Sequence, residues 1–246
     1  MDRLLEATHA AERCHFWFHG FRHFVRPLVV EALRGLEHPR ILDCGCGTGH
    51  NVRWLGESGT AFGFDLTAVG LALARRDGAN VVRADVSAVP FRDGWFDLAT
   101  SFDVLYSLTE EQEGRALREM HRVLRPGGHV IVNTAAFEAL RGNHSILAGE
   151  RRRHRAPQLQ RALDAAGFTV RRLTYTNATL FPILLALRTG QRMVGLAEAE
   201  HADAEISLPP AVANAAMKRV LELEAWFTKR WRAPFGSSVL SLATKR

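Results

Sequence analysis

Arg40-Ile41-Leu42-Asp43-Cys44-Gly45-Cys46-Gly47-Thr48-Gly49-His50-Asn51 is the stretch whose reading decides the fold. Ile41 and Leu42 read as the end of a buried strand, Asp43 is an acid at its exit, and three glycines follow at alternate positions. Asn51-Val52-Arg53-Trp54-Leu55 then opens a helix. A strand, a glycine turn and a helix start bring backbone N–H groups and the positive end of a dipole up to a ligand. Glycine is needed there because a Cβ would obstruct both the turn and the ligand's approach.

Two well-known glycine-loop chemistries fit poorly. The dinucleotide fingerprint G-x-G-x-x-G is met by Gly45 and Gly47, but its third small residue falls on His50. A phosphate-cradling loop requires Gly-Lys-Ser/Thr, and this stretch has no lysine. What it does match is Asp-x-Gly-x-Gly-x-Gly, which resembles motif I of the class I S-adenosylmethionine (SAM) methyltransferases. The resemblance implies that Gly45, Cys46, Gly47 and Gly49 carry the methionine part of the cofactor SAM, with Asp43 near its ammonium group.

The following stretches carry the same resemblance in order. Thr60-Ala61-Phe62-Gly63-Phe64-Asp65 reads as a second strand ending in an acid, placed for a carboxylate that accepts from both ribose hydroxyls, with Leu66 beside it. Thr67 is a candidate cap of a helix that runs to about Arg76 and stops at Asp77-Gly78. Asn80 to Ala84 is a third strand, followed by Asp85-Val86 at the family's adenine position; taken alone, such an acid is usually a turn residue, and its place after two matched motifs favours the adenine reading. Phe96 to Phe102 leads to the topological switch point, where Ser101 to Tyr106 should meet the methyl group. A helix over 110–124, ended by Arg125-Pro126-Gly127-Gly128, precedes a fifth strand at 129–133. Ala166-Gly167-Phe168 enters a sixth. The resemblance implies an α/β, Rossmann-like, mostly parallel seven-stranded sheet with helices on both faces and an antiparallel last hairpin.

Three regions depart from that minimal fold. Residues 1–38 read as a helical lid; their aromatic piece, 15–24, supplies Trp17 and Arg22 as candidate cofactor contacts, and resembles the His-x-Trp-Phe leader of some bacterial SAM methyltransferases. The core spans 39–176 and 235–246. Between them, 177–234 is too long for a loop and is expected to fold as a helical cap against the core, a second subunit or a greasy substrate. The run from His144 to Arg155 is strongly basic; Arg152 and Arg153 are candidate donors to a substrate anion, with Tyr175 and Phe181 as apolar contacts, although a solvated loop reads the same way. Candidate bases are His144, His154, Tyr106, Tyr175 and Asp103.

Composition narrows the rest. A net charge of +6 rests mostly on arginine, and 47% hydrophobic residues are ordinary for a soluble domain. Three cysteines speak against a disulfide framework and for a reducing, cytoplasmic setting; Cys44 and Cys46 read as small buried side chains, and no metal site is expected. The expected reaction is methyl transfer to a small molecule, with an amphipathic anion such as a polyketide acid or prenyl phosphate as the leading class. A non-catalytic SAM-binding module is the alternative. No nucleic acid, no membrane insertion, and a monomer or homodimer complete the expectation.

Overall fold

The computed structural model describes residues 2–194 and 208–246. Two helices come first, α1 (Asp2–Ala11) and α2 (Phe16–Ala32). The sheet is then built by β1 (Arg40–Cys44), α3 (His50–Leu55), β2 (Thr60–Asp65), α4 (Ala68–Arg76), β3 (Val81–Arg83) and β4 (Phe96–Phe102). It continues with α5 (Glu110–Val123), β5 (Leu124–Ala135), α6 (Asn143–Leu147), α7 (Ala156–Ala165) and β6 (Phe168–Thr176). The last elements are α8 (Phe181–Val194), α9 (Ala211–Thr228) and β7 (Ser238–Lys245).

The seven strands form one sheet in the order β3-β2-β1-β4-β5-β7-β6. β1 to β5 pair in parallel, and β7 runs antiparallel to both β5 and β6. Strands buried on both faces read as continuous apolar runs rather than alternating ones, which is why Ile41, Leu42 and Cys44 are all fully buried. One face of the sheet carries α5 and α7 through Ala116, Leu117, Met120, Leu159 and Leu163. The other carries α2 and α9 through Val25, Leu28, Val29, Leu221 and Ala225.

Two elements differ from the sequence expectation. Arg125-Pro126-Gly127-Gly128 does not separate helix from strand: β5 starts at Leu124, opposite Phe96, and His129 lies opposite Leu98, so 125–128 bulge within the strand. Gly127, at φ 75°, makes that bulge possible. The polar run after Gly142 is partly helical, as α6. The inserted helices pack on the body of the protein. α9 lies beside α2, with Phe16 N–H donating to Asn214 (2.8 Å) and Leu221 occupying the space that a side chain at Gly20 would need. Glu198, Glu200, Asp203 and Glu205 lie outside the described residues.

Candidate functional site

The site is assembled from the carboxyl ends of the central strands, where open α/β sheets place ligands. Gly45, Gly47 and Gly49 all have positive φ, at 79°, 51° and 73°. Only glycine takes these values without strain. At Gly49 a Cβ would also sit 2.6 Å from Ala74, and at Gly45 it would strike Val104, so α4 and the end of β4 close on the loop because the side chains are missing. Gly47 is different: the nearest atom to its absent Cβ is Leu5 of α1, at 3.8 Å. The open side of the turn faces α1.

Asp43 is only 1% exposed. Its Oδ1 accepts from the Thr100 hydroxyl at 2.7 Å, while Oδ2 is buried with no partner. Burial, with Asp65 nearby, pushes its carboxyl up to about 7 against the opposing pull of the Thr100 bond. A buried acceptor without a donor is costly, and a cationic donor from a ligand would satisfy it. This chemistry fits the SAM ammonium group.

Asp65 is half-buried and already employed: Oδ1 accepts from the N–H and hydroxyl of Thr67 (2.8 and 2.6 Å), and Oδ2 accepts from Gly47 N–H at 2.8 Å. It therefore shapes the loop as well as presenting a carboxylate, and Oδ2 retains a lone pair for a hydroxyl. Asp85 is exposed, and Oδ1 accepts from the Ser87 N–H and hydroxyl. It serves as a turn residue and leaves its acid facing outward. Val86 beside it is buried, Leu66 is 54% exposed, and Phe102 is buried edge-on against Phe21 of α2.

The N-terminal segment reaches the loop through a different part than the aromatic run suggested. Glu12, which follows α1, accepts from the Thr48 hydroxyl at 2.7–2.8 Å, and burial pushes its carboxyl up to about 7. Asp77 receives His9, Arg13 and Arg53, clasping α1 to α4. Arg22 contacts His50 and donates to the Glu12 carbonyl, and desolvation with three arginines around it lowers the His50 imidazole to about 3. Trp17 packs edge-on to Phe16, half-buried.

The second group of candidates lies at the ends of β4 and β5. Asp103 has φ 58°, accepts from the Asn133 side chain at 3.0 Å, and donates its N–H to the Asn133 carbonyl. It is exposed on one side and crowded by protein on the others; that desolvation, with Glu150 nearby, pushes its carboxyl upward. Solvent at the opening softens the shift without reversing it. Burial and the neighbouring acids Asp103 and Glu150 likewise raise the Tyr106 phenol, which stays protonated.

The structure changes the reading of the basic run. His154 is 3% exposed, with Glu113 on Nε2 (3.2 Å) and the Thr134 hydroxyl on Nδ1 (3.3 Å); burial beside Arg152 lowers it to about 4. Walled in on both nitrogens, it cannot serve as a base for a bound substrate. Arg152 is paired with Glu113, and Arg153 grips buried Glu150 through two bonds at 2.8 and 3.0 Å. Their guanidinium groups hold the protein's own carboxylates instead of waiting for a substrate anion. Arg151 and Arg155 are exposed, and no carboxylate among the described residues pairs with either; Arg155 lies over Phe137 at 5.8 Å. Phe137 stacks on Tyr175 and meets Phe181, which meets Phe235. Tyr175 is buried and its OH accepts from Ala156 N–H, a structural bond, while its ring is stacked on Phe137. His144 falls within α6, but its side chain lies outside the described residues.

A cavity of about 340 Å³ lies elsewhere, against β6, lined by Arg171, Tyr175, Arg232 and Pro234 among others. It contains none of the strand-end acids or loop glycines, so the assignment of the site stays with the loop. Among the described residues no group of three or more His, Cys, Asp or Glu is placed to hold a metal ion.

Residues 42–132 match the family described as "Methyltransferase domain". Residues 42–132 thus carry the methyltransferase domain of the class I SAM-dependent enzymes. A malonyl-[acyl-carrier protein] O-methyltransferase of Pseudescherichia vulneris is 36% identical over 103 residues, 41% of this chain and 40% of that protein. A probable tRNA methyltransferase 9B of Mus musculus is 36% identical over 99 residues, 40% of this chain and 22% of that protein. The chain thus spans less than half the length of these curated relatives. Over the whole fold, a SAM-dependent methyltransferase from Mesorhizobium loti superimposes with a TM-score of 0.58 at 21% identity, covering 90% of this chain and 97% of that one. SAM is the methyl donor of this family.

Glu12, Thr48, Thr100, Asn133 and Phe137 were not readable as site residues. Each has its place through a contact across at least 30 residues of chain, which no local pattern records.

Proposed function

We propose that this protein transfers a methyl group from SAM to a small amphipathic acceptor carrying an anionic group. The observation that carries the SAM half is the unpartnered, buried Oδ2 of Asp43 at the root of a positive-φ glycine loop. Asp43 would face the ammonium group, Gly45 to Gly49 the methionine backbone, Asp65 the ribose, and Asp85 with Val86 the adenine. Bound SAM supplies an electrophilic methyl group on a sulfonium centre. The protein's part is then positioning and exclusion of water, for which Leu5 and Glu12 stand at the loop and Phe21 against Phe102 at the end of β4.

Asp103 is the proton acceptor in this reading. Desolvation raises its carboxyl toward the range in which a general base works best, and the Asn133 bonds hold it at the end of β4. Tyr106, kept protonated, is a hydrogen-bond donor beside it. The acceptor class is supported by the neighbouring aromatics Phe137, Phe181 and Phe235, with the guanidinium of Arg155 over Phe137 and, among the described residues, no carboxylate pairing with Arg155 or with exposed Arg151. An O-methyltransferase acting on a malonyl group, which carries a carboxylate, is among the matched relatives. That match lies in the shared core, as does the match to a tRNA enzyme, so it bears on the donor more than on the acceptor.

The test is release of demethylated SAM on incubation with a panel of medium-chain acids, polyketide acids, prenyl phosphates, their neutral esters and tRNA. Turnover should require the acidic amphipathic members. Tight SAM binding with no turnover on any acceptor would instead favour the non-catalytic SAM-binding module.

A further inference from the structure

α9 is apolar on two faces. Its inner stripe, Leu221, Ala225 and Thr228, is buried. Its outer stripe repeats at the same helical spacing: Val220, Leu223 and Phe227 are 38%, 61% and 57% exposed, and Trp226 is 54% exposed beside them. Trp231, just past the helix, is 74% exposed. A surface helix serving only its own core needs one apolar face, with polar residues opposite. Here the outer face carries rings that water solvates poorly.

The charges around those rings point to a partner. Lys229, Arg230 and Arg232 are all exposed, and no ion pair with a carboxylate is formed by any of them among the described residues. Cations at the end of a helix complement its dipole, which accounts for their sign. It does not account for the exposed Trp226, Phe227 and Trp231 among them. The acids of this helix are occupied: Glu222 pairs with Arg219 and His23, and Glu224 is buried, accepting from Ala178, Thr179 and the Thr179 hydroxyl. The outer face is therefore aromatic and positive, with its negative charges turned to internal duty. Tryptophan rings favour the boundary between headgroups and acyl chains, and adjacent cations are attracted to anionic lipid. No described helix is long and apolar enough to cross a bilayer, so the contact is peripheral.

We propose that the outer face of α9 and the turn after it, from Leu223 to Arg232, dock the protein on an anionic membrane surface. A second copy of this chain is the weaker occupant. A second such face would offer the same cations and, among the described residues, no free carboxylate of α9 to answer them.

The experiment is co-sedimentation of the full chain with phosphatidylglycerol vesicles and with pure phosphatidylcholine vesicles, at low and high salt, alongside light scattering without lipid. Binding should be confined to phosphatidylglycerol and should fade with salt. The triple change Lys229→Glu, Arg230→Glu, Arg232→Glu should weaken it by at least about a hundredfold, since loss of three cations worth roughly fivefold each already gives that and the new carboxylates add repulsion. Trp226→Ala with Trp231→Ala should weaken it at unchanged charge, and both sets of exposed changes should leave circular dichroism and SAM affinity as they were. Absence of phosphatidylglycerol binding overturns the proposal. So does equal binding by the variants, or a concentration-dependent dimer that the tryptophan changes dissolve while lipid has no effect.

Discussion

Replacing Asp43 by asparagine should make the ligand-free protein more stable near pH 8 and at the same time cripple its hold on SAM. The magnitude follows from the burial of the carboxyl, which lifts it from 3.8 to about 7. About three pKa units correspond to roughly 4 kcal/mol, and at 1% exposure little solvent is present to screen it. The sign is set by the folded value lying above the unfolded one. Stability from this group is fully present below about pH 4 and is lost as pH rises through about 7. Asparagine has no charge to bury, and its carbonyl can still accept from Thr100. Its amide nitrogen takes the place of the unpartnered Oδ2, and an unsatisfied buried donor costs about 1–3 kcal/mol. The net gain near pH 8 is therefore about 1–3 kcal/mol, vanishing or reversing near pH 4. Urea unfolding of both proteins across that range reads the difference, because Glu12 and Asp103 titrate alike in each. Calorimetry reads the other half: SAM affinity should fall at least tenfold, and wild-type binding should release protons near pH 7. A variant no more stable than wild type near pH 8 would refute the burial argument. Unchanged SAM affinity would refute the placement of the ammonium group.

The other expectations are simpler. Asp65→Ala removes the acceptor that holds Gly47 N–H and caps Thr67 as well as the proposed ribose contact, so calorimetry should show more than about a tenfold loss of SAM affinity; Thr67→Ala, which spares Asp65, should lose much less. Arg153→Ala leaves buried Glu150 without its partner and should destabilise by about 3–5 kcal/mol in urea, whereas Arg151→Ala with Arg155→Ala should leave stability alone and lower turnover at unchanged SAM affinity. SAM or its demethylated product should slow protease cleavage within residues 2–24, since α1 covers the loop; equal rates with and without ligand would sink the lid.

What the sequence disclosed and what it withheld divide by range. The glycine loop was legible because its constraint is local: positive φ at Gly45, Gly47 and Gly49 demands glycine whatever surrounds it. The ends of β1 and β2 were legible because strand-exit acids at Asp43 and Asp65 follow unbroken apolar runs. Thr109-x-x-Gln112 forms a capping box at the start of α5, a signature that is equally local. The arginine cluster misled because a run of like charges says nothing of the acids it meets. Glu113, which pairs with Arg152, lies on α5, a different element of the fold. Asp77 read as the end of α4 and is that, yet it also anchors His9 and Arg13 from the other end of the domain. His154 has the residue type of a base and the surroundings of a core residue, and only packing distinguishes them.

The carboxyls that the structure brings to the strand ends share a physical predicament. Glu12, Asp43 and Asp103 are each raised by desolvation, and Asp43 is raised further by Asp65. Apart from Arg22 and Arg53 near Glu12, and Arg153 near Asp103, few cations answer them, and Asp43 has none among the causes of its shift. A fold left in that state is under electrostatic tension near neutral pH, since each acid prefers to take up a proton rather than stay charged. The tension is relieved by any ligand that brings positive charge into the loop, and relieved less by one that brings fewer charges. SAM carries a sulfonium and an ammonium; after methyl transfer the sulfonium charge is gone. If Asp43 and its neighbours hold the donor as proposed, the spent form, with one positive charge fewer, should bind less tightly than SAM, and calorimetry with both ligands checks it.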